Sequence, residues 1–306
     1  MSMHYGEVAG VGKPISRLVL GTVFFGSSDP DTAHGLLDAF RAAGGTAIDT
    51  ARHYGDAEDV IGTWLARQNR EEIVIAGKGA HPHGSPRITR EDIAADLTES
   101  LRRLGTDYID IFFLHRDNPE IPIGEIVEWL NEHHAAGRIR AFGGSNWTTE
   151  RLDAANEYAQ AHGLVPFAAS SPNLSLAFPQ DEIWTGCLSV TPADRAWYQD
   201  RQMPLVSWSS QAEGFFTGRY RPDDLSNERA VRLWYSPQNW ERYRRATELA
   251  QAKGVSANSV ALAWVLAQPF PTFAVIGPHT VGELHSSLET LDVSLTPDEV
   301  RRLEAG

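Results

Sequence analysis

The alternation of eight short apolar runs with amphipathic segments constrains the fold of this chain most strongly. The runs lie at 17–21, 46–50, 72–78, 108–115, 139–145, 166–171, 204–210 and 273–277. Most of them are continuously apolar, which is typical of parallel strands that are covered on both faces. Segments with helical spacing lie between them, at 32–43, 58–68, 89–104, 123–136 and 149–162. Most of these segments begin and end with residue types that cap helices.

Eight strand–helix units predict an α/β protein with one closed (β/α)8 TIM barrel spanning residues 1–306 as a single domain. An open doubly wound sheet is the alternative, but the glycine fingerprint expected after its first strand is absent. Gly10 and Gly12 precede the first strand, and the third fingerprint position is Ile15. The segments 171–203 and 209–272 are too long for simple units and predict long, aromatic-rich loops at the C-terminal face.

Charge and composition limit the classes of partner. The formal net charge of −13 disfavours nucleic acids and anionic membranes as partners. No run approaches the roughly 18 apolar residues of a membrane span, and the N-terminal residues lack the pattern of a signal peptide. The single cysteine, Cys187, suits a reducing compartment. We therefore expect a cytoplasmic protein with a small-molecule partner, and the sequence makes no prediction about its oligomeric state.

Titratable residues follow three consecutive predicted strands. Asp49 ends the second strand and is followed by Tyr54, Lys78 ends the third, and His115 ends the fourth. The carboxyl ends of barrel strands meet at one face, and buried charges are tolerated there when they are paired or functional. We expect an ion pair between Asp49 and Lys78. An ammonium beside Tyr54 should lower the pKa of the phenol from about 10.

These four side chains predict proton transfer at an oxygen atom. Tyr54 can act as a general acid or base, and His115 can donate a hydrogen bond to a carbonyl oxygen. None of the four is a strong nucleophile. Hydride transfer therefore fits the set better than acyl transfer does.

Several motifs of the chain resemble those of a known family. The stretch "DTARHYGDAEDVIG" at 49–62 matches the pattern DTA-x-x-YG-x-x-E-x-x-(V/I)-G of the aldo-keto reductase superfamily. The segments "GK" at 77–78, "DIFFLHRDNP" at 110–119 and "GRIRAFGGSNW" at 137–147 follow in the order of that family. So do "WSSQAEGFFTGRY" at 208–220 and "VSANSVALAWVLAQP" at 255–269. The resemblance covers residues 15 to 303 and implies an NAD(P)-dependent oxidoreductase that transfers hydride between the nicotinamide C4 and a carbonyl or alcohol carbon.

The resemblance also implies catalytic roles by position. It makes Tyr54 the general acid/base, Asp49 and Lys78 the pair that tunes it, and His115 the residue that orients the carbonyl. It implies no metal.

Cofactor contacts are implied in the same way. Ser145 and Asn146 would hold the nicotinamide carboxamide, and Trp208 would stack on the nicotinamide ring. Ser171 stands where the family usually has a longer glutamine. The full set of predicted cofactor-binding residues is Gly21, Thr22, Ser145, Asn146, Ser171, Trp208, Ser209, Gly214, Phe215, Gly218, Gly277, Glu283 and Ser287.

The adenosine end departs from the family pattern. An alignment without gaps places Glu283 where a residue that meets the 2′-phosphate is common, and a serine pair at 286–287 where the family has Glu-Asn. A carboxylate repels a phosphate but accepts hydrogen bonds from a free ribose hydroxyl. We therefore expect NAD(H) or NADP(H), with a lean towards NAD(H).

Aromatic residues of the long loops suggest the substrate class. Phe24, Trp147 and Trp234 are the predicted substrate contacts, and aromatic faces of this kind stack on sugars and flat apolar molecules. Packing of the inserted loops explains most of these aromatic residues equally well. The expected substrate is a small carbonyl, alcohol or sugar, with a sugar or cyclic polyol preferred.

Two other classes of function were weighed. His81 and His83 resemble metal-binding pairs of barrel hydrolases, but His115 is the only further ligand at a strand end, and Lys78 would oppose the metal. The second class is a cofactor-binding interaction module without significant turnover, as in the potassium-channel β subunits, which resemble the same family. The intact set of four catalytic residues favours an enzyme over such a module.

Overall fold

The computed structural model describes residues 2–305 and shows eight parallel strands closed into a barrel. In chain order the barrel strands are β3 (Leu18–Gly21), β4 (Ala47–Asp49), β5 (Val74–Gly79), β6 (Ile109–Leu114), β7 (Ile139–Gly144), β8 (Ala169–Ser170), β9 (Leu205–Ser207) and β10 (Thr272–Ile276). Each strand pairs with the next along the chain, and β10 pairs with β3 to close the ring. The predicted (β/α)8 fold is confirmed.

Helices alternate with the strands and cover the outside of the barrel. They are α1 (Pro30–Ala42), α2 (Ala57–Leu65), α3 (Arg90–Leu104), α4 (Ile123–Ala135), α5 (Thr149–His162), α6 (Pro192–Arg201), α7 (Glu228–Trp234), α8 (Pro237–Lys253), α9 (Ala257–Leu266), α10 (Val281–Leu288) and α11 (Pro297–Glu304). Their first turns are capped as the sequence predicts. The side chains of Asp29, Thr89 and Thr148, for example, each accept a backbone N–H at the start of a helix.

A short antiparallel hairpin closes the amino-terminal end of the barrel. It consists of β1 (Tyr5–Gly6) and β2 (Ile15–Ser16). Val8 and Val11, between these two strands, are buried in the same cluster as the inward-facing residues of the barrel. The hairpin therefore fills one mouth of the barrel, and the opposite mouth stays open for a site.

The least regular part of the barrel is the half that carries the long loops. The run 166–171 forms only the two-residue strand β8, and the segment 209–272 contains the three helices α7, α8 and α9. Gly143 of β7 explains part of this geometry, because a Cβ atom there would lie 2.0 Å from the carbonyl oxygen of Ala169. The neighbouring strands can approach this closely only because position 143 has no side chain.

Within residues 2–305, no helix has both the length and the apolar character that crossing a membrane would require.

Candidate active site

Strand periodicity places three of the four predicted catalytic residues in the barrel interior. Successive strand side chains point to opposite faces, so residues two apart share a face. Ala47, Val74, Ala76, Ile111 and Phe113 belong to the apolar cluster inside the barrel. Two residues beyond the last interior residue of each strand come Asp49, Lys78 and His115, which therefore form a polar layer directly above the interior core.

The predicted ion pair is present in this layer. Lys78 Nζ lies 2.5 Å from Asp49 Oδ2 and also donates a hydrogen bond to the Thr50 carbonyl at 3.2 Å. Both charged side chains are almost completely buried. Burial acts to lower the pKa of Lys78, but the interactions with Asp49 and Tyr54 together outweigh it and raise that pKa above the ordinary value. Lys78 is therefore a permanent cation at neutral pH.

The loop between β4 and α2 carries Tyr54 over the ion pair. Gly55 adopts a φ of +59°, which allows the chain to turn directly after the tyrosine. The buried Glu58 carboxylate accepts a hydrogen bond from Arg52, and this pair fixes the loop at its other end. Lys78 Nζ lies 5.4 Å from the centroid of the Tyr54 ring. The structure thus brings Tyr54 to the buried ammonium, as its position in the motif predicts.

The pKa of Tyr54 moves in the direction opposite to the sequence prediction. Burial raises the pKa of the phenol above 10.0, although the ammonium of Lys78 pulls it down. Asp49 adds to the rise because its negative charge disfavours a phenolate. The prediction of a lowered pKa was wrong because it considered the neighbouring cation and not the depth of the site. Tyr54 is a protonated phenol at neutral pH.

His115 faces Tyr54 as a neutral imidazole. The two ring centroids are 6.0 Å apart. Burial, followed by the positive charge of Lys78, lowers the pKa of His115 well below 6.5. Its Nδ1 atom is buried and has no hydrogen-bond partner within residues 2–305. A neutral imidazole can donate through one nitrogen only, so it can orient a polar group without adding charge to the site.

A cavity of about 1190 Å³ opens above this layer. Most of the predicted site residues lie on its wall, and these are Gly21, Thr22, Phe24, Asp49, Tyr54, Lys78, His115, Ser145, Asn146, Trp208, Ser209, Gly214, Gly277, Glu283 and Ser287. They come from every side of the barrel mouth. A volume of this size suits an extended small molecule better than a compact one.

Two of the predicted substrate contacts are not on this wall. Trp147 is buried against Phe167 and donates from Nε1 to the carbonyl of Arg116. Trp234 has no exposed surface and lies 3.5 Å from Glu213 through its Nε1. Both side chains pack loops together, so the prediction that they contact substrate is corrected to a structural role.

Three of the predicted cofactor contacts are also off the wall. Ser171 is fully buried, because the chain beyond β8 turns beneath β7 and its backbone N–H donates to Gly144. Phe215 is fully buried against Trp240. Gly218 ends the short helix 212–217 with a φ of +82°. Sequence position near the barrel mouth does not determine whether a residue faces the cavity or the protein interior. This explains why these three residues are not on the cavity wall.

Ser145 and Asn146 are held by the protein itself. Ser145 Oγ donates to the Ser171 carbonyl at 2.8 Å, and Asn146 Oδ1 accepts the backbone N–H of Leu188 at 3.1 Å. Asn146 has a φ of +61°, a left-handed conformation that is uncommon outside glycine. These bonds fix the orientation of both side chains at the cavity wall.

Unpartnered polar atoms at two places on the wall fit a dinucleotide. Trp208 Nε1 and Asn258 Oδ1 are buried, line the cavity and lack a hydrogen-bond partner among the residues that the structure describes. Buried polar groups are nearly always paired, so each of these atoms points to a ligand or to water. Trp208 lies at the end predicted for the nicotinamide, and Asn258 lies on the same cavity as Ser287, at the end predicted for the adenosine.

Sequence reasoning missed several residues of the cavity wall. Asn258 lies in the first turn of α9, and His53 lies beside His115 together with His81, which the sequence offered only as half of a candidate metal-binding pair. A sequence signal existed for the histidines, because β4, β5 and β6 are neighbours in the barrel and each is followed by one of them. Arg116 also lines the cavity and donates from Nη1 to the His115 carbonyl.

Comparison with known proteins agrees with this geometry. The family model described as "Aldo/keto reductase family" matches residues 17–305. The chain is 30% identical to the uncharacterized oxidoreductase YrpG of Bacillus subtilis (strain 168), over 98% of this chain and 95% of that protein. It is 28% identical to the aryl-alcohol dehydrogenase [NADP(+)] of Phanerodontia chrysosporium, over 99% and 85% of the two chains.

A solved structure shows the same architecture. The crystal structure of the thermostable aldo-keto reductase Tm1743, in complex with the inhibitor epalrestat, superposes with a TM-score of 0.77. It is 26% identical and covers 99% of each chain. With the family model, the named relatives and the barrel in agreement, the chain belongs to the aldo/keto reductase family and is an NAD(P)-dependent oxidoreductase acting on carbonyl and alcohol groups.

Proposed function

We propose that this protein reduces a carbonyl with Tyr54 as the proton donor. The observation that carries the proposal is the protonated Tyr54, half-buried at the cavity wall beside the Asp49–Lys78 ion pair and opposite the neutral His115. A nicotinamide held by Ser145, Asn146 and Trp208 would supply the hydride for the carbonyl carbon. Tyr54 donates its proton to the oxygen, and His115 donates a hydrogen bond that orients the same oxygen. The fixed charge of Lys78 stabilises the tyrosinate that remains.

The residues that would hold the cofactor divide between the two ends of the cavity. Ser145, Asn146 and Trp208 would hold the nicotinamide end, and Asn258 and Ser287 the adenosine end. These assignments rest on the family resemblance and on the unpartnered wall atoms. Catalysis by the phenol does not depend on how the adenosine is bound.

We propose NAD(H) as the better cofactor. Residues 277–287, which form the adenosine end, contain one carboxylate, Glu283, and no lysine or arginine. Glu283 Oε2 accepts the backbone N–H of His279 at 2.7 Å, so its charge is held at the start of α10. A 2′-phosphate would meet this carboxylate without a lysine or arginine on the same segment to compensate.

We propose a sugar or cyclic polyol, or the corresponding ketone, as the substrate class. Trp184 and Phe24 are half-exposed and line the cavity, and Trp184 lies 5.4 Å from Trp208 between ring centroids. Phe24 remains from the predicted set, and Trp184 takes the place of the buried Trp147 and Trp234 as a face on which a ring could stack. We place the protein in the cytoplasm, where its single cysteine would stay reduced.

Two measurements test the proposed function. The first is a titration with NADH and with NADPH that follows tryptophan fluorescence, because a nicotinamide beside Trp208 should quench it. The second is turnover of Tyr54→Phe, which should fall by about 10²–10⁴-fold while the cofactor dissociation constant stays unchanged.

Tyr5→Phe is the matched control for the tyrosine variant, because Tyr5 is exposed and lies at the opposite end of the barrel. Its turnover should equal that of the unchanged enzyme. Full activity in Tyr54→Phe would refute the role of the phenol. Binding of both cofactors without turnover of any carbonyl, alcohol or sugar would support the interaction module instead.

A further inference from the structure

Three histidines meet at the inner end of the cavity, next to the proposed carbonyl site. They are His53 in the loop after β4, His81 after β5 and His115 at the end of β6. One ring nitrogen of each lies within 4.8 Å of one nitrogen of the other two. The rings of His53 and His81 are stacked at 3.8 Å, and both meet the His115 ring edge-on at 4.5 and 4.9 Å. The His53 side chain is exposed, His81 is half-buried and His115 is buried, so the cluster leads from solvent to the catalytic layer.

All three imidazoles are available as neutral ligands. His53 keeps an exposed face, but partial desolvation of its ring against His81 and His115, together with the neighbouring positive groups, lowers its pKa to about 3. The pKa values of His81 and His115 are lowered as well, first by burial. A metal ion binds the neutral imidazole, so at neutral pH it would not have to displace protons from this cluster.

The orientation of His81 matches that of a metal ligand. Its Nδ1 lies 2.9 Å from the Pro82 carbonyl. A carbonyl oxygen only accepts, so Nδ1 carries the proton and the lone pair is on Nε2. Histidines that bind metals almost always donate their other nitrogen to a carbonyl or carboxylate in this way.

We propose that His53, His81 and His115 form a Zn²⁺ site that controls access to the catalytic layer. Three imidazoles with an open fourth position are a known zinc ligand set, and nitrogen ligands disfavour Mg²⁺ and Ca²⁺. Zn–N distances of about 2.0–2.1 Å require the three ligand nitrogens to approach one another more closely than the 4.8 Å within which they now lie. His53 is exposed and can supply that movement by side-chain rotation.

Local charge sets the strength of this site. Lys78 and Arg116 are cations near the cluster, as their effect on the pKa values of His53 and His115 shows. Asp49 compensates the charge of Lys78 through the buried ion pair. The site should therefore be weaker than a structural zinc site and should load and release the ion reversibly.

The consequence for activity rests on the proposed function. A Zn²⁺ ion on His115 occupies the imidazole that would orient the carbonyl and stands in front of Tyr54. Zinc should therefore inhibit in competition with the carbonyl substrate. It should leave the affinity for the cofactor unchanged, because Trp208 and Asn258 are not part of the cluster.

Direct binding tests the site without any need for turnover. We would titrate the full chain with Zn²⁺ by calorimetry and with Co²⁺ by visible absorption, using Mg²⁺ as the non-binding control. One equivalent should bind. His53→Asn and His81→Asn should each weaken binding by roughly tenfold or more, the scale on which even outer partners of a metal ligand act. His162→Asn is the matched control, because His162 is exposed at the end of α5 on the outside of the barrel; it should bind as the unchanged protein does.

The outcomes separate this proposal from the proposed function. Absence of a one-to-one complex, or equal affinity in His53→Asn, His81→Asn and the control, would overturn the zinc site whether or not the enzyme turns over. One-to-one binding that is lost in His53→Asn and His81→Asn supports the site even if no substrate is found. Where turnover is measurable, inhibition competitive with the cofactor instead of the carbonyl would place the ion elsewhere and overturn the proposal.

Discussion

The buried ion pair offers the sharpest test of how this site is built. Lys78→Met would leave the Asp49 carboxylate buried without its partner and would also remove a donor to Thr50. Removing one partner of a buried pair costs about 3–5 kcal/mol, because the remaining charge is uncompensated. We expect the free energy of unfolding, measured with urea, to fall by about that amount. Turnover should be lost as well, because the proposed tyrosinate would lose its stabilising cation.

A second substitution separates charge from packing. In Lys78→Met with Asp49→Asn, no buried charge remains, and the residual cost should be that of an unsatisfied polar group, about 1–3 kcal/mol. The double variant should therefore be more stable than Lys78→Met alone, while both stay inactive and still bind the cofactor. A double variant that is less stable than Lys78→Met would refute the reasoning, because it would show that the two substitutions act independently.

Other predictions follow from the pKa of Tyr54 and from the glycine positions. Because burial holds the pKa of Tyr54 above its ordinary 10.0, its proton-donating form persists throughout the neutral range. Carbonyl reduction should show no loss from titration of Tyr54 there, and alcohol oxidation should rise by about tenfold per pH unit until the pKa is reached. An oxidation rate that levels off near neutral pH would contradict this direction. Gly143→Ala would place a Cβ atom 2.0 Å from the Ala169 carbonyl oxygen and should lower the free energy of unfolding by about 1–3 kcal/mol or more. Gly35→Ala, in the exposed face of α1 with open space around it, should raise that free energy by about 0.4–1 kcal/mol, and the same urea titration checks both variants.

Much of the fold was predictable because strands that are buried on both faces appear in the sequence as short, continuous apolar runs. All eight apolar runs are buried along more than half of their length, and caps such as Thr89 and Thr148 mark where helices begin. The run 166–171 was predicted too long, because a strand ends where its neighbours stop pairing. Local sequence does not carry that information. In β8 only Ala169 and Ser170 find partners in register.

The candidate site also contains both residues whose positions follow from the strands and residues whose positions the local sequence does not determine. Asp49, Lys78 and His115 end strands, and strand ends in a barrel meet by necessity, so their proximity follows from the fold alone. Trp147 lies in a loop and Trp234 ends the short helix α7 of the inserted segment, where neither period nor cap determines whether a ring faces the cavity or the core. Trp147 faces inward because Gly144 leaves room for its ring: a Cβ atom there would lie 2.4 Å from it.

The pKa of Tyr54 shows what a motif alone omits. A sequence motif shows which residues lie near Tyr54 but not how deeply they are buried. From the motif alone, the nearby Lys78 should lower the pKa of Tyr54 and favour the phenolate. Depth is a property of the whole barrel, and here burial of the phenol outweighs the cation. The Lys78 ammonium does not lower the pKa of Tyr54 enough to ionise the tyrosine in the resting site. In the proposed reaction, the same ammonium stabilises the tyrosinate once the proton has left. The site is therefore asymmetric: it begins with the proton already on Tyr54, as reduction requires, whereas oxidation must first remove that proton to solvent. In the proposed mechanism, the resting enzyme therefore holds Tyr54 in the protonated form that carbonyl reduction uses, and burial of the phenol keeps it in that form.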